Sequence, residues 1–184
     1  MKNLIIDDSL KFIDSFKPSG KFRDYINEKD ITVEISIVDE EKDDKHLAYL
    51  KLTILKEKKI DDLLLYADGI SQQISDLVDT LFINGQLNDE KGDIVCIENL
   101  AVHEDYRQKG IGGWLVDNVE DILEINYNIK PKIICYFIFP QEIRWADTPE
   151  FYNTEPNKEM EQIMKTMFTK LGYKQVGKTN VFSK

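Results

Sequence analysis

The stretch whose residue types and spacing can do chemistry is 100–113: Leu100, Ala101, Val102, His103, Glu104, Asp105, Tyr106, Arg107, Gln108, Lys109, Gly110, Ile111, Gly112 and Gly113. It runs from the end of an apolar segment into an amphipathic one. Glycines at 110, 112 and 113 let the backbone turn and come close to a ligand. Free N–H groups at a helix start, with the helix dipole behind them, attract an anion. Arg107 and Lys109 add positive charge. No acidic residue lies between Tyr106 and Val116, in a chain holding 34 of them. The chemistry expected is the binding of an anion such as a pyrophosphate.

Rival glycine loops fit less well. A dinucleotide fingerprint needs a third glycine where Leu115 stands. A P-loop needs Gly-Lys-Ser/Thr, which is missing. The spacing Arg-x-x-Gly-x-Gly arises by chance in roughly one chain of this size in twenty. Its weight therefore comes from the elements on either side.

Those elements read as follows. Residues 94–102 form a mostly apolar strand with little alternation, as in the middle of a sheet. A helix over 112–124 carries Leu115, Val119 and Ile122 on one side. Pro131 precedes an apolar strand over 133–139. Strand, helix and strand make a βαβ crossover with two parallel, adjacent strands. Upstream, residues 31–38 and 47–55 alternate apolar and polar and read as an antiparallel hairpin. Asp68 or Ser71 opens a helix with Ile70, Ile74, Leu77, Val78 and Leu81 in one stripe, ended by Asn84 and Gly85. Met160, Ile163, Met164, Met167, Phe168 and Leu171 make another stripe, stopped by Gly172. Residues 173–182 supply one or two closing strands. In the first thirty residues, Ser9 caps a short helix with Leu10, Ile13 and Phe16, and a second short helix holds Phe22, Tyr25 and Ile26. The sum is an α/β sandwich around a mixed sheet, one domain over 1–184.

At 184 residues, 42% apolar and 32% charged, the chain has an ordinary globular mix. No apolar run approaches the ~20 residues of a membrane helix, and the acidic start lacks a secretory pattern. A cytoplasmic protein without a membrane partner is expected. Cys96 and Cys135 sit in apolar strands at no metal spacing and read as reduced core thiols; His46 and His103 are isolated, so no metal is expected. The formal net charge of −10 disfavours a nucleic-acid partner and attracts cations such as polyamines, aminoglycosides or lysine-rich tails.

Residues 107–112, after Leu100 and Val102, resemble motif A of the GNAT N-acetyltransferase superfamily, Arg/Gln-x-x-Gly-x-Gly/Ala after a Leu-x-Val strand end. Residues 168–173, Phe-Thr-Lys-Leu-Gly-Tyr, resemble motif B. The resemblance covers about residues 92–175 and implies a GNAT-like α/β/α sandwich, mostly antiparallel, with the parallel βαβ unit at its centre. It implies acetyl-CoA as acyl donor, held across residues 100–102 and 107–113. Main-chain amides of 108–112 would take the pyrophosphate, and Leu100 and Val102 would bond the pantetheine arm like an added strand. The two parallel strands would splay to admit the thioester.

Two departures from the family stand out. Phe168 occupies the position of a frequent catalytic tyrosine; it belongs to the apolar stripe and cannot protonate a thiolate. A helix also falls between the hairpin and the motif A strand, where the family goes nearly straight on.

Acetyl transfer to an amine needs a base, an oxyanion partner and an acid. Glu98, a carboxylate in an otherwise apolar strand, is the first choice for the base, with burial expected to raise its pKa; it reads equally as a carboxylate at a bulge or strand edge facing water. Glu104 is a poorer choice. A main-chain N–H near Leu100 would face the oxyanion. Tyr136, Tyr173 and Tyr152 are options for the acid. The long 140–157 connection, with Arg144, Trp145, Phe151 and Tyr152, reads either as an acceptor-selecting flap or as a homodimer contact. Asp61, Asp62 and Asp68 read as a solvated acidic edge or a landing place for a cation. The expected function is an N-acetyltransferase acting on a primary amine; the alternative is a non-catalytic acyl-CoA-binding sensor of the same fold.

Overall fold

The computed structural model describes residues 21–26, 30–39, 45–56, 59–87, 92–138, 142–144, 150–152 and 157–184. The helix expected around Leu10, Ile13 and Phe16 lies outside the described residues.

Strands β1 (Lys21–Ile26), β2 (Asp30–Asp39) and β3 (Lys45–Leu55) run antiparallel. Two helices follow, α1 (Ile60–Ile70) and α2 (Gln72–Ile83), then β4 (Asp93–Val102). Next come a 3-10 turn over Glu104–Tyr106, α3 (Ile111–Asp117), α4 (Val119–Tyr127) and β5 (Pro131–Phe137). The short strands β6 (Glu142–Arg144) and β7 (Glu150–Tyr152) pair with each other, and α5 (Lys158–Lys170), β8 (Lys174–Gln175) and β9 (Val181–Ser183) close the chain.

One sheet of seven strands has the order β1-β2-β3-β4-β5-β9-β8, with β4 and β5 parallel and its other pairs antiparallel. Alternation along the strands sorts side chains to two faces. Val33, Leu50, Leu52, Val95, Ile97 and Ile134 meet Leu115, Val119, Leu123 and Phe168 from α3, α4 and α5. Leu55, Ile94, Cys96, Ile133 and Cys135 meet Leu63, Ala67, Ile74, Leu77 and Leu81 from α1 and α2. This is the α/β/α sandwich around a mixed sheet, with the parallel pair at its centre.

Several boundaries differ from the sequence reading. Phe22, Tyr25 and Ile26 belong to strand β1, not a helix, because the segment pairs along β2 from Lys21↔Ser36 to Ile26↔Ile31. The helix expected to open at Asp68 or Ser71 is preceded by α1. Ser71, extended at φ −164°, separates the two, and its side chain accepts from the Ile74 N–H at 3.2 Å to cap α2. The helix expected over 112–124 is broken at Asn118, whose side-chain amide donates to the Trp114 carbonyl at 2.8 Å. The 140–157 connection holds the β6–β7 pair, while Trp145 lies outside the described residues. The strand over 133–139 is observed as β5, and Phe139 lies outside the described residues.

Cys96 and Cys135 are register partners on β4 and β5, buried and free, with Cys135 Sγ donating to Cys96 Sγ across 3.6 Å. That contact first, and burial second, push the Cys96 thiol well above its ordinary range. Among the described residues no helix is long and apolar enough to cross a membrane, and no group of three or more His, Cys, Asp or Glu is placed to hold a metal ion.

Candidate active site

The parallel pairing of β4 with β5 ends at Ile97↔Tyr136. Beyond it β4 continues to Val102 along β3 alone, through Asn99↔Lys51 and Leu100↔Leu50 to Val102↔Ala48. The edge of β4 that faced β5 is thereby released over 98–102, and a cavity of about 330 Å³ opens beside it.

Five segments line this cavity. Asn99, Leu100, Ala101 and Val102 come from β4. Tyr106, Arg107 and Gln108 come from the turn, and Gly110, Ile111, Gly112 and Gly113 from the start of α3. Tyr136 closes the β5 side, and Met160, Ile163, Met164 and Met167 of α5 form the far wall. The structure thus brings the 100–102 and 107–113 segments onto one cavity, with Lys109 outside its lining.

The turn is built to present backbone. Gly110 caps α3 in the left-handed region at φ 84°, and Gln108 lies there too at φ 59°. The first helical hydrogen bond of α3 is from the Trp114 N–H to the Gly110 carbonyl, 2.9 Å. The N–H groups of Ile111, Gly112 and Gly113 precede it and have no carbonyl within the helix to meet. A Cβ on Gly112 would stand 3.3 Å from Val102 Cγ2 and 3.9 Å from Met167 Sδ, so the missing side chain is what leaves room there. The Arg107 guanidinium ties the turn to the strand end, Nε donating to the Val102 carbonyl at 3.1 Å. Lys109 folds back, Nζ donating to the Asp105 carbonyl at 2.8 Å and lying 4.9 Å from the Tyr106 ring centre.

Glu98 sits on the other face of the sheet, toward α2. The β3–β4 register shifts from Leu52↔Ile97 to Lys51↔Asn99, which makes Glu98 the extra residue of a β-bulge. The carboxylate that the sequence places in an otherwise apolar strand stands among polar side chains at this bulge. Lys51 Nζ lies 3.1 Å from Oε2, and the Thr53 hydroxyl donates to Oε1 at 2.5 Å. The Gln73 side-chain amide donates to the Glu98 carbonyl at 2.9 Å. Glu98 retains 10% side-chain exposure.

The tyrosines divide. Tyr136 lines the cavity, and burial pushes its phenol well above the ordinary range. Tyr173 is not in the lining; it stands edge-on to Phe168 with ring centres 5.0 Å apart. Its phenol is also pushed up, chiefly by burial, with Glu120 adding to the effect. Phe168 is fully buried in the core, in keeping with its place in the apolar stripe. The side chain of Tyr152 lies outside the described residues. Glu104 is exposed on the 3-10 turn, and Asp62 and Asp68 are exposed on α1.

Sequence reasoning missed Asn99, Tyr106 and the α5 wall as site residues. Three of the chain's four methionines stand on that wall. Their clustering at 160, 164 and 167 was visible as a stripe, but a stripe reads as core until a cavity is seen on it. Lys51, Thr53 and Gln73 carried no local signal, since only the strand register and the packing of α2 bring them to Glu98.

Among solved structures, the KacTA–DNA complex is similar over 97% of this chain and 79% of that chain, at 11% identity and a TM-score of 0.47. AtaT complexed with acetyl-methionyl-tRNAfMet is similar over 83% and 74%, at 12% identity and a TM-score of 0.45. Arabidopsis thaliana NAA60 in complex with a bisubstrate analogue is similar over 83% and 74%, at 13% identity and a TM-score of 0.44. No curated protein matches the sequence. The model of the acetyltransferase (GNAT) family matches residues 14–135, about two thirds of the chain, and the chain belongs to that family.

Proposed function

We propose that the cavity between β4, α3 and α5 takes acetyl-CoA, and that the protein passes the acetyl group to a primary amine by direct attack. The observation that carries this reading is the meeting of two features on one cavity: the released edge of β4 over 98–102 and the first-turn N–H groups of α3. The first suits an extended amide-bearing arm, the second a pyrophosphate. The space left by Gly112 fits a ligand that approaches the backbone closely.

Acetyl-CoA supplies an activated thioester: its carbonyl carbon forms the new bond to nitrogen, and its sulfur leaves as the thiol. Glu98 is the proposed base, taking the proton of the attacking amine on the α2 face. Its carboxylate is held in place by Lys51 and Thr53 before any substrate arrives. Main-chain N–H groups at 99–100 are the proposed oxyanion partners. Tyr136 is the proposed acid because, of Tyr136 and Tyr173, it is the one that lines the cavity. Tyr173 has no such access and is proposed to support the core around Phe168 instead.

The acceptor is proposed to be a small cationic amine or a protein amine, from the net charge of −10. Nucleic acid stays in the acceptor screen, since AtaT is complexed with an acylated tRNA. The proposed setting is one domain, cytoplasmic, without a metal. A non-catalytic acyl-CoA sensor is the second reading, favoured by Phe168 at the position where the family often has tyrosine. Release of free CoA thiol with spermidine, tobramycin, a lysine peptide and an aminoacyl-tRNA separates the two. Thiol release above the amine-free rate supports the enzyme; binding without release supports the sensor.

A further inference from the structure

The geometry points to Gln73 as a positioning residue for the β4 bulge, and through it for the proposed base. The inference rests on the reading of Glu98 given above. Gln73 stands in the first turn of α2, just after the Ser71 cap, on the helix that sits between the β2–β3 hairpin and β4.

A β-bulge disrupts the ladder and leaves its extra residue unpaired. Glu98 is that residue, and the β5 ladder stops at Ile97, one residue earlier. A donor for the Glu98 carbonyl then has to come from outside the ladders, and Gln73 Nε2 supplies it at 2.9 Å across 25 residues of sequence. The trans peptide is planar, so its carbonyl and its N–H point in opposite directions. Holding the Glu98 carbonyl on Gln73 therefore turns the Asn99 N–H away from that contact. Asn99 is a wall residue of the cavity, on the sheet's other side from α2.

Three donors from two elements thus converge on one residue. Lys51 and Thr53 of β3 hold the carboxylate, and Gln73 of α2 holds the peptide plane behind it. Loss of the Gln73 amide frees the bulge to rock, which moves the carboxylate and the Asn99 N–H together. The cavity walls of α3 and α5 are untouched by that change. The consequence is a loss of turnover with donor affinity kept, a split that a general weakening of the fold would not produce.

Two variants test this. Gln73→Leu removes the donor; Gln73→Glu keeps the shape and, ionised at pH 8, offers only acceptors. Both are expected to lower thiol release at least tenfold with the best amine of the panel. The acetyl-CoA dissociation constant is expected to stay within about twofold, and amide hydrogen exchange at 98–100 to rise while the global melting temperature holds. Unchanged exchange at 98–100 in both variants overturns the positioning role, whether or not any amine is turned over. Faster exchange with full turnover overturns its bearing on catalysis. Full turnover in Glu98→Gln removes Glu98 as the base and leaves the exchange result standing, so the two failures are told apart.

Discussion

Tyr136 lies flat against Phe168, their ring centres 4.8 Å apart and their planes inclined by only 17°. One ring faces the cavity and the other is sealed in the core. Phe168 also meets Tyr173 edge-on and Phe182 at 6.4 Å, so its ring is surrounded by other rings. A hydroxyl added there would be buried in an aromatic cluster and would cost about 1–3 kcal/mol without a partner. Phe168→Tyr is therefore expected to lower the melting temperature by roughly 2–10 °C and to leave thiol release no faster than in the parent. Thermal unfolding and the thiol assay check both halves. Faster turnover in the variant would show that a catalytic tyrosine belongs at this position.

Glu98→Gln keeps the size of the side chain and its place beside Thr53 while removing the base. Turnover is expected to fall at least tenfold, with the acetyl-CoA dissociation constant unchanged, because the carboxylate lies on the opposite face from the cavity walls. Steady-state rates and calorimetric titration measure the two separately. Equal turnover in parent and variant would remove Glu98 from the mechanism.

Much of this arrangement was legible in the sequence. The β2–β3 hairpin, the apolar β4 and β5 and the turn at 107–113 follow from periodicity and from glycine placement. The rest depended on tertiary structure. Phe22, Tyr25 and Ile26 fit a helical face as well as a strand, and pairing with β2 decided between them. Helix α1 was hidden because its buried Leu63 and Ala67 find their partners in α2 and the sheet through tertiary packing. The surroundings of Glu98 follow from a one-residue register shift, which no local pattern reveals.

Burial raises the phenols of Tyr136 and Tyr173 above the ordinary range near pH 10. The folded state holds these protons when the unfolded chain has begun to lose them. Their contribution to stability is thus complete below about pH 10 and falls as pH rises further. Alkaline unfolding is expected to coincide with the appearance of tyrosinate absorbance from these two residues, and Tyr136→Phe is expected to move the transition to higher pH. A pH titration followed by circular dichroism and by absorbance near 295 nm is the check. Ionisation of both tyrosines while the fold persists would contradict the account.

The claim on which the rest depends is that acetyl-CoA occupies the cavity at the start of α3. Calorimetric titration of the parent protein and of Gly112→Glu with acetyl-CoA tests it most directly. The variant sets a Cβ 3.3 Å from Val102 Cγ2 and brings a negative charge to the helix start. Saturable binding by the parent, weakened at least a hundredfold in the variant with its fold intact by circular dichroism, is the predicted result. Equal binding by both proteins, or no binding by the parent, would contradict it.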